Sequence, residues 1–158
     1  VMIYLVMYLF MNLGAFFVLI YVSQKEGGEN FEHFSGLGWR MPIVGIVMTV
    51  FMFSLTGLPP TVGFIGKFYL FVALINAGSS FYWIAFFGAI NTVVSLYYYM
   101  RVVKTMYLDG EPSEEIAVPP FSMTIIFLLL AIPSVFFGIY WTPILNWVKD
   151  SLLFFVQI

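Results

Sequence analysis

The chain has 158 residues, of which 62% are hydrophobic and 9% charged, where ordinary soluble domains carry about 25% charged residues. Six Lys and Arg against eight Asp and Glu give a formal net charge of -2 and leave no basic footprint, so no nucleic acid partner is expected. With no cysteine and a single histidine, His33, there is no disulfide framework, no thiolate set for zinc or iron–sulfur clusters, no bis-histidine haem and no expected metal site.

This composition reads as all-α: a polytopic transmembrane helix bundle of about five spans, one domain over 1–158, with the lipid bilayer as its surroundings. The first span is expected at 2–22 and begins without the charged n-region of a signal peptide. Within it, Gly14 lets helices approach closely and Asn12 is expected to hydrogen-bond to another helix. Ser23 to Arg40, with its mixed charges and glycines, reads as a solvent-exposed connection. Glu29, Glu32 and His33 lack the convergent partners a metal site needs. Pro42 suits the first turn of a second span at 42–56, in which Thr49, Ser54 and Thr56 can bond back to their own helix. Pro59 and Pro60 end that helix and open a third span at 59–77.

The fourth span is expected at 81–107. Asn91, Thr92 and Ser95, with Tyr98 as a further candidate, lie on one side of it, as interhelical hydrogen-bonding groups or as the polar lining of a hydrated path. Tyr97 to Tyr99, followed by Arg101 and Lys104, reads as an interfacial belt. After the acidic, proline-bearing loop 109–120, the last span is expected at 121–140, kinked at Pro133. Trp141, Trp147 and Lys149 mark an interface, and 143–157 reads as a short interfacial helix. Five spans place loop 23–40 and loop 109–120 on opposite sides of the membrane. Lys25, Arg40 and Lys149 then oppose Arg101 and Lys104, too even a balance to set an orientation.

Lys67 is the only charge between Met41 and Met100. An ionisable group inside a membrane span is a functional-site hypothesis by default. Around it stand Gly57, Pro59, Pro60, Gly63 and Gly66, the residue types that most weaken a helix. Such breaks are tolerated at membrane depth only where protein or water satisfies the freed backbone, and transporters place coupling sites at them. A helix starting at Pro59 or Pro60 would put Lys67 roughly 10–12 Å in at 1.5 Å per residue, against snorkelling to a headgroup as the other reading. A phosphate loop is excluded, because Thr61 and Phe68 occupy its required glycine and hydroxyl positions.

The run Ser54-Leu55-x-Gly57-x-Pro59-Pro60-x-x-Gly63-Phe64-x-Gly66-Lys67-Phe68 resembles the lysine-bearing broken helix of the antiporter-like subunits of respiratory complex I. Phe34-x-Gly36-Leu37-x-x-Arg40-x-Pro42 and Leu96-Tyr97-Tyr98-Tyr99-Met100-Arg101 narrow the resemblance to the N-type subunit, which has counterparts in mitochondria and chloroplasts. The related M-type subunit usually has glutamate where Lys67 stands.

The resemblance implies a C-terminal fragment of a proton-translocating membrane subunit of an NADH:quinone oxidoreductase, with Lys67 as one station of a buried relay. It further implies other membrane subunits as partners, and no cofactor in this chain, since NADH, flavin, iron–sulfur clusters and quinone belong to other subunits. The expected location is the bacterial inner membrane, or an organellar inner or thylakoid membrane, with loop 23–40 on the periplasmic side. Two other readings are a stand-alone cation/proton antiporter and a structural bundle in which Lys67 is a pairing partner.

Overall fold

The computed structural model describes residues 2–28, 30–110, 116–143 and 146. Most of the expected interfacial helix at 143–157, with Trp147 and Lys149, lies outside them, as do Glu29 and residues 111–115. Among the described residues the chain is helical and has no strand: α1 (Met2–Glu26), α2 (Phe31–Phe34), α3 (Leu37–Arg40), α4 (Pro42–Thr56), α5 (Val62–Asn76), a 3-10 turn (Ser79–Phe81), α6 (Tyr82–Tyr107) and α7 (Phe121–Ile139).

The helical membrane bundle is as expected, but the course of 42–76 is not. α1, α6 with its leading 3-10 turn, and α7 are each long and apolar enough to cross a bilayer. α4 and α5 have 15 residues apiece, about 22 Å at 1.5 Å per residue against a hydrocarbon core of about 30 Å. They run in series. Moving along α1 towards its N-terminus, Gly14 packs on Phe51, Met11 lies beside both Ser54 and Gly63, and Tyr4 lies beside Gly66. On α6, Tyr107 packs on Gly38 and against Gly45, while Gly88 packs on Phe71. Both neighbours thus pass α4 first and α5 second in one continuous direction, so 42–76 is one interrupted crossing and there are four crossings among the described residues.

The loops give the same answer independently. Gly36 N donates to the Thr105 carbonyl at 3.3 Å and Ala117 N to the Arg40 carbonyl at 2.8 Å. Ser35 Oγ donates to the Asp109 carbonyl and Trp39 Nε1 to the Tyr107 carbonyl. Segments joined in this way lie on one side of a membrane, whereas five crossings would separate them. Nor is 23–40 an open connection. α1 continues to Glu26, Phe34 and Leu37 are buried, and Arg40 ties the turn together. Its Nη1 meets Glu26 Oε2 at 2.6 Å, and Nη2 donates to the His33 and Ser35 carbonyls.

The core lies around α4, whose Val44, Phe51 and Met52 are buried against α1, α6 and α7. In lipid, helices associate through close packing more than through exclusion of water, which favours small residues where they touch. Gly14 under the Phe51 ring and Gly138 against the Pro60–Thr61 backbone fill that role. Asn12 departs from expectation: its Nδ2 donates to the Tyr8 carbonyl of its own helix at 2.8 Å. Thr49 and Thr56 do bond back, to Gly45 and Met52, but Ser54 reaches across to Met11 Sδ on α1.

Candidate functional site

The site forms where α4 stops. A helix leaves its last carbonyls without intrahelical donors, and in a membrane each needs another partner. Gly57 adopts a left-handed conformation at φ 85°, and its N–H serves the Phe53 and Ser54 carbonyls while Leu58 N also serves Phe53. The next two carbonyls point elsewhere. Lys67 Nζ donates to the Leu55 carbonyl at 3.1 Å and to the Thr56 carbonyl at 2.8 Å. The ammonium group therefore caps α4 from the next helix, at the end where the helix dipole favours a cation.

Two glycines make this reach possible. A Cβ on Gly57 would stand 2.9 Å from Lys67 Cδ, so the lysine stem lies across a position that has no side chain. Gly63 touches the Ser54 carbonyl, and a Cβ there would fall onto that oxygen. Gly66 instead faces the Tyr4 ring, with Cδ2 at 2.7 Å from a built Cβ. Pro59 and Pro60 are exposed residues of the turn and hold the backbone out of helical register. Thr61 closes the turn by donating from Oγ1 to the Leu58 carbonyl at 2.7 Å.

Snorkelling to a headgroup does not describe Lys67. Its amine is engaged at the junction of α4 and α5, midway along the interrupted crossing. Beside it lies a cavity of about 330 Å³ between α1, α5 and α6. Asn91, Thr92 and Ser95, the residues expected on one side of the fourth span, line this cavity together with Lys67. Thr92 Oγ1 donates to the Gly88 carbonyl and Ser95 Oγ to the Asn91 carbonyl, so both hydroxyls bond back to α6 while their lone pairs remain available to the cavity. Among the described residues, no bond from either hydroxyl runs to a neighbouring helix. At about 30 Å³ of liquid volume per molecule, the space is enough for about ten waters.

Tyr98 is exposed and does not line the cavity, whereas Tyr4, Tyr8 and Tyr99 do; the sequence singles out only Tyr99 of these, and as part of an interfacial belt. A signal for them is present. Tyr4, Tyr8, Met11, Ala15, Val18 and Val22 recur at steps of four and three along α1, and Gly88, Thr92, Ser95 and Tyr99 at the same steps along α6. That spacing marks one helix face.

Residues 1–95 match the family described as NADH:quinone oxidoreductase/Mrp antiporter, transmembrane. The chain is 51% identical over 152 residues to the NADH-quinone oxidoreductase subunit N 2 of Sorangium cellulosum (strain So ce56), covering 94% of this chain and 30% of that protein. It is 40% identical over 164 residues to subunit N of Anaeromyxobacter sp. (strain Fw109-5), covering 98% of this chain and 31% of that one. Against subunit N of Chlorobium chlorochromatii (strain CaD3) the identity is 41% over 157 residues, covering 96% and 30%. The chain thus spans 30–31% of the length of these relatives. On the match over 1–95, which contains the whole lysine-bearing break, the chain belongs to the NADH:quinone oxidoreductase/Mrp antiporter transmembrane family.

Proposed function

We propose that this chain is part of a proton-translocating membrane subunit of an NADH:quinone oxidoreductase, and that Lys67 loads and releases the proton. The observation that carries the reading is Lys67 Nζ on the last two carbonyls of α4 beside a cavity large enough for several waters. As an ammonium, Lys67 is attracted to the C-terminal end of α4. Once its proton passes to water in the cavity, that attraction is lost and the neutral amine is free to leave the carbonyls. The helix break therefore gives the two protonation states different preferred positions, which a relay needs. Relatives bearing the subunit N name support the oxidoreductase over the antiporter. Other membrane subunits would continue the relay, and NADH, flavin, iron–sulfur clusters and quinone would be held by other chains.

The four-crossing layout bears on orientation. Lys25, Arg40, Arg101 and Lys104 all belong to the face that carries both loops, and the turn 77–81 at the opposite end has no Lys or Arg. By the positive-inside rule that face is the cytoplasmic side of a bacterial inner membrane. The expectation of loop 23–40 in the periplasm depends on five spans and falls with them.

The test uses the whole subunit in its assembled complex, in inverted membrane vesicles at matched complex levels. Lys67→Ala removes the switching amine and should lower NADH-driven proton flux by about 100-fold, as removal of an acid–base group does. Lys67→Arg keeps a cation on the α4 carbonyls but cannot deprotonate, so it should preserve assembly and fail to restore flux. Full flux in the arginine form would make Lys67 a fixed charge, as a structural bundle requires. Sodium-dependent exchange without NADH oxidation would favour the antiporter.

A further inference from the structure

We propose that Tyr99 is the hydroxyl through which protons reach Lys67 from the loop-bearing face, an inference that rests on the proton-relay reading above. The cavity beside Lys67 contains few groups able to pass a proton. Thr92 and Ser95 have committed their hydroxyl protons to the Gly88 and Asn91 carbonyls, at 3.0 and 2.7 Å. The Asn91 amide is neither acid nor base in the useful range. The phenols of Tyr4, Tyr8 and Tyr99 remain. A phenol both donates and accepts, and belongs to the side chains that serve in general acid–base transfer.

Among the three, placement singles out Tyr99. Tyr8 is 41% exposed, and Tyr4 is stacked on it at 5.8 Å between ring centroids. Tyr99 extends the polar face of α6 formed by Asn91, Thr92 and Ser95, and its ring packs against the buried core, which fixes its direction. It also lies towards the loop-bearing end of α6 from Lys67. Gly88 packs on Phe71 and Tyr107 packs on Gly38, so Tyr99 stands between the level of Lys67 and that face. In the step itself, a protonated water on the loop side of Tyr99 gives its proton to the phenol oxygen. The phenol's own proton passes through cavity water to the neutral Lys67 amine, both groups lining the same cavity. The hydroxyl is regenerated, one proton has moved and no electron changes hands.

The experiment compares the wild type with Tyr99→Phe, Tyr97→Phe and Lys67→Ala in the full complex, measuring NADH-driven proton flux and its solvent deuterium isotope effect. Tyr99→Phe keeps the ring and its packing. Its flux should fall by about tenfold, less than the 100-fold typical of a lost acid–base group because cavity water substitutes in part. Its isotope effect should rise, because proton transfer then limits the rate. Tyr97, 66% exposed on the outer side of α6, is the control and should leave both readouts unchanged when it becomes Phe. Loss of flux in Tyr99→Phe with an unchanged isotope effect would mean a packing role and overturn the proposal. Full flux in Tyr99→Phe alongside lost flux in Lys67→Ala would overturn the proposal while leaving the lysine relay standing. Full flux in Lys67→Ala would remove both.

Discussion

Gly63→Ala separates the packing of the helix break from ordinary helix propensity, because the two effects have opposite signs. In an exposed helix interior alanine is preferred over glycine by about 0.8–1.0 kcal/mol. At Gly63 the added methyl would land on the Ser54 carbonyl oxygen, part of the backbone, with Met11 Sδ at 3.4 Å on its other side. Neither chain can yield by turning a side chain, so α5 must shift from α4 by on the order of 1 Å, and a gap of 0.5–1 Å already forfeits a quarter to a half of the dispersion well. The same shift stretches the Lys67 bonds of 2.8 and 3.1 Å to the α4 carbonyls. Overpacking costs about 1–3 kcal/mol and weakening a charged hydrogen bond about as much again, so the sum is roughly 2–6 kcal/mol against the propensity gain.

Gly66→Ala meets the Tyr4 ring edge at 2.7 Å, a side chain that can move, and should cost only about 1 kcal/mol. Ala73→Leu, on an exposed stretch of α5, should cost little. The assay is the apparent Tm and yield of the detergent-extracted complex, with the expected order Gly63→Ala well below Gly66→Ala, and Ala73→Leu near wild type. A Gly63→Ala complex as stable as wild type would refute the close contact at the break.

Two further expectations concern the loop face. Arg40→Ala removes the Glu26 pair and the bonds to the His33 and Ser35 carbonyls together, so it should cost about 2–3 kcal/mol, while Glu26→Gln, which leaves the carbonyl bonds in place, should cost about 1 kcal/mol. Equal losses of apparent Tm in the two variants would show that the carbonyl bonds contribute nothing. The Lys104 ammonium at 3.0 Å, with the Thr105 hydroxyl, holds the Asp109 carboxyl below its ordinary value of 3.8. A depressed folded value means stability present above 3.8 and lost as pH falls through the folded value. The Tm difference between wild type and Asp109→Asn should therefore be constant from about pH 7 to pH 5 and shrink below about pH 4. A difference that grows on acidification would refute the pairing.

Much of the site is legible in the sequence because its residues are chemically exceptional where they stand. One lysine in a long apolar stretch, flanked by glycines and two prolines, needs no structure to be noticed. The series arrangement of α4 and α5 is not legible, for a physical reason. Hydropathy records how apolar each segment is and is blind to whether the chain reverses between them, and Pro59-Pro60 suits a hairpin as well as an interruption. The order of neighbours along α1 and α6, and the bonds between the two loops, distinguish the two. The same blindness places the loops on opposite sides, although Gly36, Arg40, Thr105 and Ala117 hydrogen-bond across them. Asn12 defeats the expectation that a polar side chain in lipid seeks another helix. It stands one position off the Tyr8–Met11–Ala15 face, and its own helix supplies the acceptor.

The break also explains why the ionisable group at 67 is a cation. Two carbonyls at the negative end of α4 converge on position 67, and among the described residues no backbone N–H serves them once Gly57 and Leu58 have bonded to Phe53 and Ser54. A lysine ammonium meets that demand with three donors on a flexible stem. A carboxylate in its place would bring acceptor against acceptor and like partial charge against like. It could remain only as the neutral acid donating a single bond, or by turning away from α4 into the cavity. Either change would uncouple the protonation state from the capping of α4. The direction in which α4 ends therefore favours a cation at this position, since Lys67 Nζ donates to its last two carbonyls.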